Sequence, residues 1–228
     1  MKTFFQLCNL VLEELGLSEV QSFSDLDSTR TGKQIKTKIQ IVNENTLLEN
    51  NVFCRERKTT ITVPALATYV SFDINGEIKR EYNGIIDVSN KAKYTYMPDA
   101  SDFEMGNVSG EIYCIDDNKI LLASYPTERQ LTVKYYTYDN AKDSLGVDKD
   151  NLELEDDYSI IPQQLQHKIL VYGACYEIKK RDTNSRTPFW FKEFTGAKNS
   201  LRSMIRSEDE MARLLIGSEQ YDFRRNLE

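Results

Sequence analysis

The sequence predicts an α+β protein: a four-helix bundle with an inserted, mostly antiparallel β-module, a small sandwich or barrel, and an extended C-terminal tail. Two observations carry this. Apolar residues recur with a period near 3.6 at both ends of the chain and with a period of 2 in between. Turn formers then punctuate the middle at short intervals: Asn83-Gly84, Asn107, Gly110 and Pro126. The implied division is 1–50 and 158–207 for the helical domain, 52–138 for the β domain, 139–157 for a connector loop and 208–228 for the tail.

Phe4, Leu7, Cys8, Val11 and Leu15 line one face of a first helix, Thr3–Leu15, and Gly16 supplies its left-handed stop. After the turn-rich stretch Ser18–Asp27, Asp27 or Ser28 caps a second helix, Ser28–Leu48. Its stripe is Ile35, Ile39, Val42 and Thr46, opposite Lys33, Lys36 and Lys38, which read more readily as a solvated face than as a partner-binding patch. Strands are expected at Lys58–Pro64, Ala67–Asp73, Ile85–Val88, Tyr94–Met97, Glu111–Ile115, Lys119–Ala123 and Leu131–Tyr138, with a hairpin around Asp117-Asn118. Asp99–Asn107 is either a loop or a short helical turn.

Residues 139–157 are polar, acidic and without periodicity, hence a connector. Pro162 suits the first turn of a third helix, Pro162–Lys180, where its missing N–H costs nothing. Leu165, Ile169, Tyr172, Gly173 and Tyr176 form the stripe, and Gly173, worth about 1 kcal/mol of lost helix propensity, implies that another helix comes close. Pro188 opens the fourth helix, Phe189–Ile205, with Trp190, Phe194, Ala197, Leu201, Met204 and Ile205 on one face. Residues 208–228 mix charge with short apolar groups in a frayed helix or tail.

At 228 residues, with 29 Lys and Arg against 36 Asp and Glu, the net charge is −7. Coating of nucleic acid is thereby disfavoured, since phosphate binding needs clustered positive charge. The separated cysteines, Cys8, Cys54, Cys114 and Cys175, read as reduced, mostly buried thiols of a cytosolic protein. Met1–Gly16 carries Asn9, Glu13 and Glu14 and lacks a small-residue cleavage site, so it reads as neither a signal peptide nor a membrane span.

His167 is the lone histidine, so no His-based triad or metal site assembles. Asp116-Asp117 and Glu155-Asp156-Asp157 read as turn and loop charge rather than as a cation or hydrolase site. No phosphate-binding glycine loop is present. No enzyme activity, metal or cofactor is therefore expected. Tyr135, Tyr136 and Tyr138 beside Lys134 have the composition of a single-strand stacking platform, although tyrosine also favours strands for packing reasons. They support the alternative of a nucleic-acid-binding accessory protein. Phe189-Trp190-Phe191 is more apolar than one helix face can bury, which divides it between core and interface.

The run GEIYCIDDNKILLASYPTERQLTVKYYTY, then IPQQLQHKILVYGACYEI and the FWFKEF helix, resembles the head-to-tail adaptor (connector) proteins of short-tailed bacteriophages. The N-terminal helix with Asn9 and the LGL stop at Leu15–Leu17 extends the resemblance over most of the chain. What it implies is a structural virion protein: a homo-oligomeric ring, usually a dodecamer, between the portal protein and the tail or nozzle proteins. The ring prolongs the DNA channel without gripping DNA specifically, and is made and assembled in the host cytoplasm. A ring needs two different sticky surfaces on each subunit. The candidates are Phe189, Trp190 and Phe191, and in the tail Leu214, Leu215, Tyr221 and Phe223, with Arg224 and Arg225 as carboxylate partners.

Overall fold

The computed structural model describes residues 1–49, 53–80, 84–104, 109–182 and 185–204. The chain divides into two compact units, one of Met1–Cys54 with Asn140–Glu228 and one of Arg55–Asp139.

The first unit opens with α1 (Phe4–Glu14). Thr3 caps it: its hydroxyl accepts from the Gln6 N–H, and the Gln6 side chain accepts from the Thr3 N–H. Gly16 follows at φ 72°. The turn-rich stretch expected next contains α2 (Phe23–Ser28), after which Thr29, in extended conformation, caps α3 (Arg30–Leu48). The corner between them requires Gly32, since a Cβ there would lie 2.2 Å from the Leu26 carbonyl oxygen.

The segment from Pro162 is broken into α5 (Gln163–Gln166), a π-helical turn (His167–Val171) and α6 (Tyr172–Lys179). A π-turn inserts an extra residue and rotates everything beyond it. The buried set is therefore Leu170 and Val171 at the end of the turn and Gly173, Ala174 and Cys175 beyond it, while Tyr172 and Tyr176 of the expected stripe move to its half-buried edge. Residues 187–204 form α7, whose Trp190, Ala197 and Leu201 join the same core as Phe4, Leu7, Ile35, Ile39 and Ile169.

The four-helix bundle is not what forms. Three helices lie in the N-terminal stretch, one expected helix carries a π-turn, and a small sheet is built into the same core. That sheet, β9 (Ala141–Lys142), β10 (Asp148–Lys149) and β11 (Tyr158–Ser159), has β9 in the middle and occupies the stretch expected to be a connector. Ala141 and Leu152 are fully buried in the helical core. Asn43 of α3 donates to the Asn140 carbonyl at 2.9 Å and accepts from the Ser159 hydroxyl, and Gln166 donates to the carbonyls of Ser159 and Ile161. These buried bonds tie an irregular acidic stretch to the helices and satisfy the carbonyls of Asn140, Ser159 and Ile161.

Asp157 organises the last turn of that stretch. Its buried carboxylate accepts from the N–H groups of Glu153 (2.8 Å) and Leu154 (2.7 Å) and pairs with Lys149 at 2.8 Å. Burial pushes this carboxyl up, but the bonds from Lys149, Leu154 and Glu153 outweigh it and hold the group below the usual aspartate range. Its stabilisation is thus complete above the ordinary aspartate pKa and is lost as pH falls through the depressed folded value. Asp157→Asn is expected to cost about 1–3 kcal/mol near neutral pH. Urea titrations between neutral and strongly acidic pH should show wild-type stability falling and the variant's curve flatter; parallel curves would refute this role.

The second unit is a single eight-stranded sheet, antiparallel in every strand pair but one as expected, and mixed because that one pair is parallel; it takes the place of the small sandwich or barrel. Its strands are β1 (Glu56–Val63), β2 (Tyr69–Ser71), β3 (Gly76–Ile78), β4 (Ile85–Asp87), β5 (Lys93–Tyr96), β6 (Ile112–Asp116), β7 (Lys119–Leu122) and β8 (Arg129–Thr137). The order is β1-β8-β4-β5-β6-β7-β2, with β3 also pairing β8. The pair β5–β6 is parallel because residues 97–111, with α4 (Ser101–Glu104) among them, are long enough to carry the chain back to the starting edge. β6 and β7 close through Asp117-Asn118, with Asp116 opposite Lys119 and Asp117 at φ 49°. Leu131, Val133, Ile85, Tyr94, Tyr113 and Ile120 form this unit's own core.

Candidate partner-binding surface

Successive helical residues point about 100° apart, so a buried Trp190 turns its two neighbours to opposite flanks of α7. Trp190 is fully buried; its indole N–H donates to Glu14 Oε2 at 3.3 Å, and the Arg186 guanidinium, which also binds the Glu14 carbonyl, lies 5.9 Å from its ring. Phe189 and Phe191 are 46% and 49% exposed. Each rests on a tyrosine of α6: Phe189 on Tyr172 with centroids 5.4 Å apart, and Phe191 on Tyr176 at 5.0 Å. Edge contact of Tyr172 with His167 at 4.8 Å continues the row.

Charges rim the row. Lys168 and Glu193 pair at 2.8 Å, which raises the lysine pKa and lowers that of the carboxyl. Glu177 is shared by Lys180 and Lys38. Half-buried His167 has its pKa lowered by burial first and then by Lys2, whose Nζ lies 3.5 Å from Nδ1. The ring is therefore neutral at pH 7 and acts as an aromatic surface. Exposed rings packed on tyrosines with charges beside them, one pair on each flank of α7, are side chains of the kind that protein interfaces favour.

The structure divides the expected aromatic triplet. Trp190 belongs to the core, whereas Phe189 and Phe191 lie on the surface beside tyrosines. Leu214, Leu215, Tyr221, Phe223, Arg224 and Arg225 lie outside the described residues. Of the second-helix lysines, Lys36 pairs with Asp27 at 2.9 Å over the Phe23 ring and Lys38 with Glu177. The expected tyrosines do not make an open platform: Tyr136 is 8% exposed and Tyr135 is half-buried, while Tyr138 stays exposed at the strand end.

Chemistry is sparse elsewhere. Among the described residues no group of three or more acidic, histidine or cysteine side chains is placed to hold a metal ion. Glu155 and Asp156 are exposed, Asp157 is buried in its turn, and Asp116 faces Lys119 across the hairpin. The cysteines are free thiols, and burial pushes Cys8 and Cys175 up to about 12, far from the thiolate that reactivity needs. A groove of about 430 Å³ beside α1 is lined by Lys2, Phe5, Gln6, Asn9, Leu10 and Glu19. No helix among the described residues is long and apolar enough to cross a membrane.

Sequence reasoning missed two surfaces. One is a row of lysines on the sheet, which only strand register brings together. The other is the exposure of Leu145, Val147 and Leu154 within the acidic stretch, for which three apolar residues among so many acids were the available signal. Compared with known proteins, the chain matches no family model and no curated relative.

Proposed function

We propose that this chain is a structural virion protein, a head-to-tail adaptor that assembles as a ring between portal and tail, prolongs the DNA channel and anchors tail components. The observation that carries the reading is the pair Phe189 and Phe191, presented half-exposed by a helix that the buried Trp190 fixes in place. Anchors of this kind lose little entropy on docking because their rotamers are already packed. The ordered series of motifs from Glu111 to Lys180 and the FWFKEF helix supply the resemblance. The ring has no catalytic task, and its net negative charge lets DNA slide past its wall rather than adhere.

The portal is the partner of the aromatic row and of the apolar tail residues after Ser207, and Arg224 and Arg225 meet carboxylates there. The test compares three proteins in co-sedimentation with the cognate portal: wild type, Phe189→Ser with Phe191→Ser, and a chain ending at Ser207. Both variants should fold, with far-UV circular dichroism close to wild type and the double-serine variant melting roughly 4–8 °C lower, and both should lose portal docking. Full docking by either variant would remove its surface from the proposal, and full docking by both would sink it.

A further inference from the structure

The sheet leaves one long edge open. On β8, the Lys134 N–H donates to the Gly84 carbonyl at 2.7 Å and the Lys134 carbonyl accepts from the Lys79 N–H at 2.9 Å, so both backbone groups of Lys134 turn to the side of β3 and β4. The direction alternates along a strand, and the β8 residues that bond to β1 are therefore Leu131, Val133 and Tyr135, opposite Ile61, Thr59 and Arg57. Lys58, Thr60 and Thr62 consequently turn their N–H and C=O groups away from β8, at the end of the strand order. These residues are exposed, and among the described residues nothing bonds to those groups.

The edge is built for pairing rather than against it. β1 is eight residues long, and residues 59–63 are all β-branched, which keeps the backbone stiffly extended. Neither proline nor glycine interrupts it. At the other end of the sheet, β2 has only three residues, the short kind of edge that discourages pairing. On the inner face of β1, Val63 is fully buried, whereas Ile61 lies half-buried against the unit's core. An apolar side chain from one further strand would finish the cover of Ile61.

The chemistry of the occupant follows from the edge. Donors and acceptors that repeat at every second residue of an extended strand are met in full only by another extended backbone. At one end stands Lys58, exposed, opposite Lys134 and paired with no carboxylate among the described residues. An acidic residue in the added strand complements it. The β1 edge of a second copy is the lesser fit, since a lysine on an edge opposes the pairing of like with like.

We infer that the outer edge of β1 is a strand-addition site for an extended, acid-bearing segment of a tail protein. The segment pairs its backbone with Lys58, Thr60 and Thr62, sets an acidic side chain opposite Lys58 and places an apolar one beside Ile61. The sheet thereby gains an edge strand that this chain does not supply. The inference rests on the adaptor reading and names how the ring holds its tail component. Because α7 belongs to the first unit and β1 to the second, portal and tail protein take separate surfaces.

The test is amide hydrogen exchange of the full chain, read residue by residue, alone and with the purified cognate nozzle protein. Alone, the amides of Lys58, Thr60 and Thr62 should exchange freely, and those of Thr59 and Ile61, bonded to β8, should be protected. With the nozzle protein, Lys58, Thr60 and Thr62 should become protected. Binding is then titrated for wild type, Thr60→Pro and Lys58→Glu. Proline at this position removes only an outward N–H and leaves the ladder with β8 intact, yet should weaken nozzle binding about tenfold or more. Lys58→Glu changes one exposed side chain and should weaken binding to a similar extent by like-charge repulsion, so a folding defect in the proline variant does not obscure the result. A wild type that does not bind the nozzle protein overturns the adaptor reading and the site together. Nozzle binding without new protection at these amides, or at full strength in Lys58→Glu and in a folded Thr60→Pro, overturns the site alone. Protection that arises instead from self-association of the chain would assign the edge to a second copy and likewise overturn the site.

Discussion

Gly173→Leu is expected to cost roughly 3 kcal/mol, because it drives a branched side chain into a space that a single methyl would already crowd. A Cβ at this position would sit 2.8 Å from Val42 Cγ1 of α3 and 3.0 Å from the Phe194 ring of α7. Both neighbours are held: Val42 is buried, and Phe194 packs against the helical core. Gly173→Ala provides the control. Its gain of about 1 kcal/mol in helix propensity is offset by the displacement of Val42, so its stability should stay close to wild type. The leucine variant should melt lower by roughly 6–12 °C; two variants melting with wild type would mean that the helices do not meet at this position.

Trp190→Ala is expected to be at least as damaging, at about 3–5 kcal/mol. It empties the largest fully buried side chain among the described residues and removes the indole donor from Glu14. Trp190→Phe keeps most of the volume and should recover more than half of that loss. Phe189→Ala, one residue away, removes a half-exposed ring and should cost about 1 kcal/mol, within the ordinary range for single substitutions. Urea midpoints for the three proteins check the order. An alanine variant at Trp190 no worse than the one at Phe189 would place the tryptophan outside the core.

These two sites also show how far a sequence can be read. Gly173 was legible because a glycine inside an apolar helical stripe weakens its own helix, a cost that close approach of a second helix offsets. The stripes of α1 and α3 were legible because Phe4, Leu7, Cys8 and Val11, and Ile35, Ile39 and Val42, repeat over several turns. The direction of Trp190 was legible in the same way, since it falls on the stripe with Phe194, Ala197 and Leu201. What Phe189 and Phe191 rest on was not, because only the position of Tyr172 and Tyr176 in space decides it.

Other features depend on long-range geometry. The π-turn at His167–Val171 leaves no composition signal, yet it shifts Tyr172 and Tyr176 to the edge where they meet Phe189 and Phe191. The break at Thr29 that separates α2 from α3 is a single extended residue between two helical patterns. The parallel pairing of β5 with β6 is a choice of partner that neither strand's own residues announce. Residues 139–157 read as a connector because acids outnumber apolar groups, while Leu152 and the buried bonds of Asn43, Ser159 and Gln166 do the anchoring. Lys58 and Lys134 are 76 positions apart and become neighbours only through the ladder of β1 with β8.

The central claim is assembly into a ring, and negative-stain electron microscopy of the purified full chain tests it most directly. The account predicts closed annular particles of cyclic symmetry, in the dodecamer class that the resemblance implies, with an open central channel. Monomers at every concentration, or closed two-fold dimers, would contradict it.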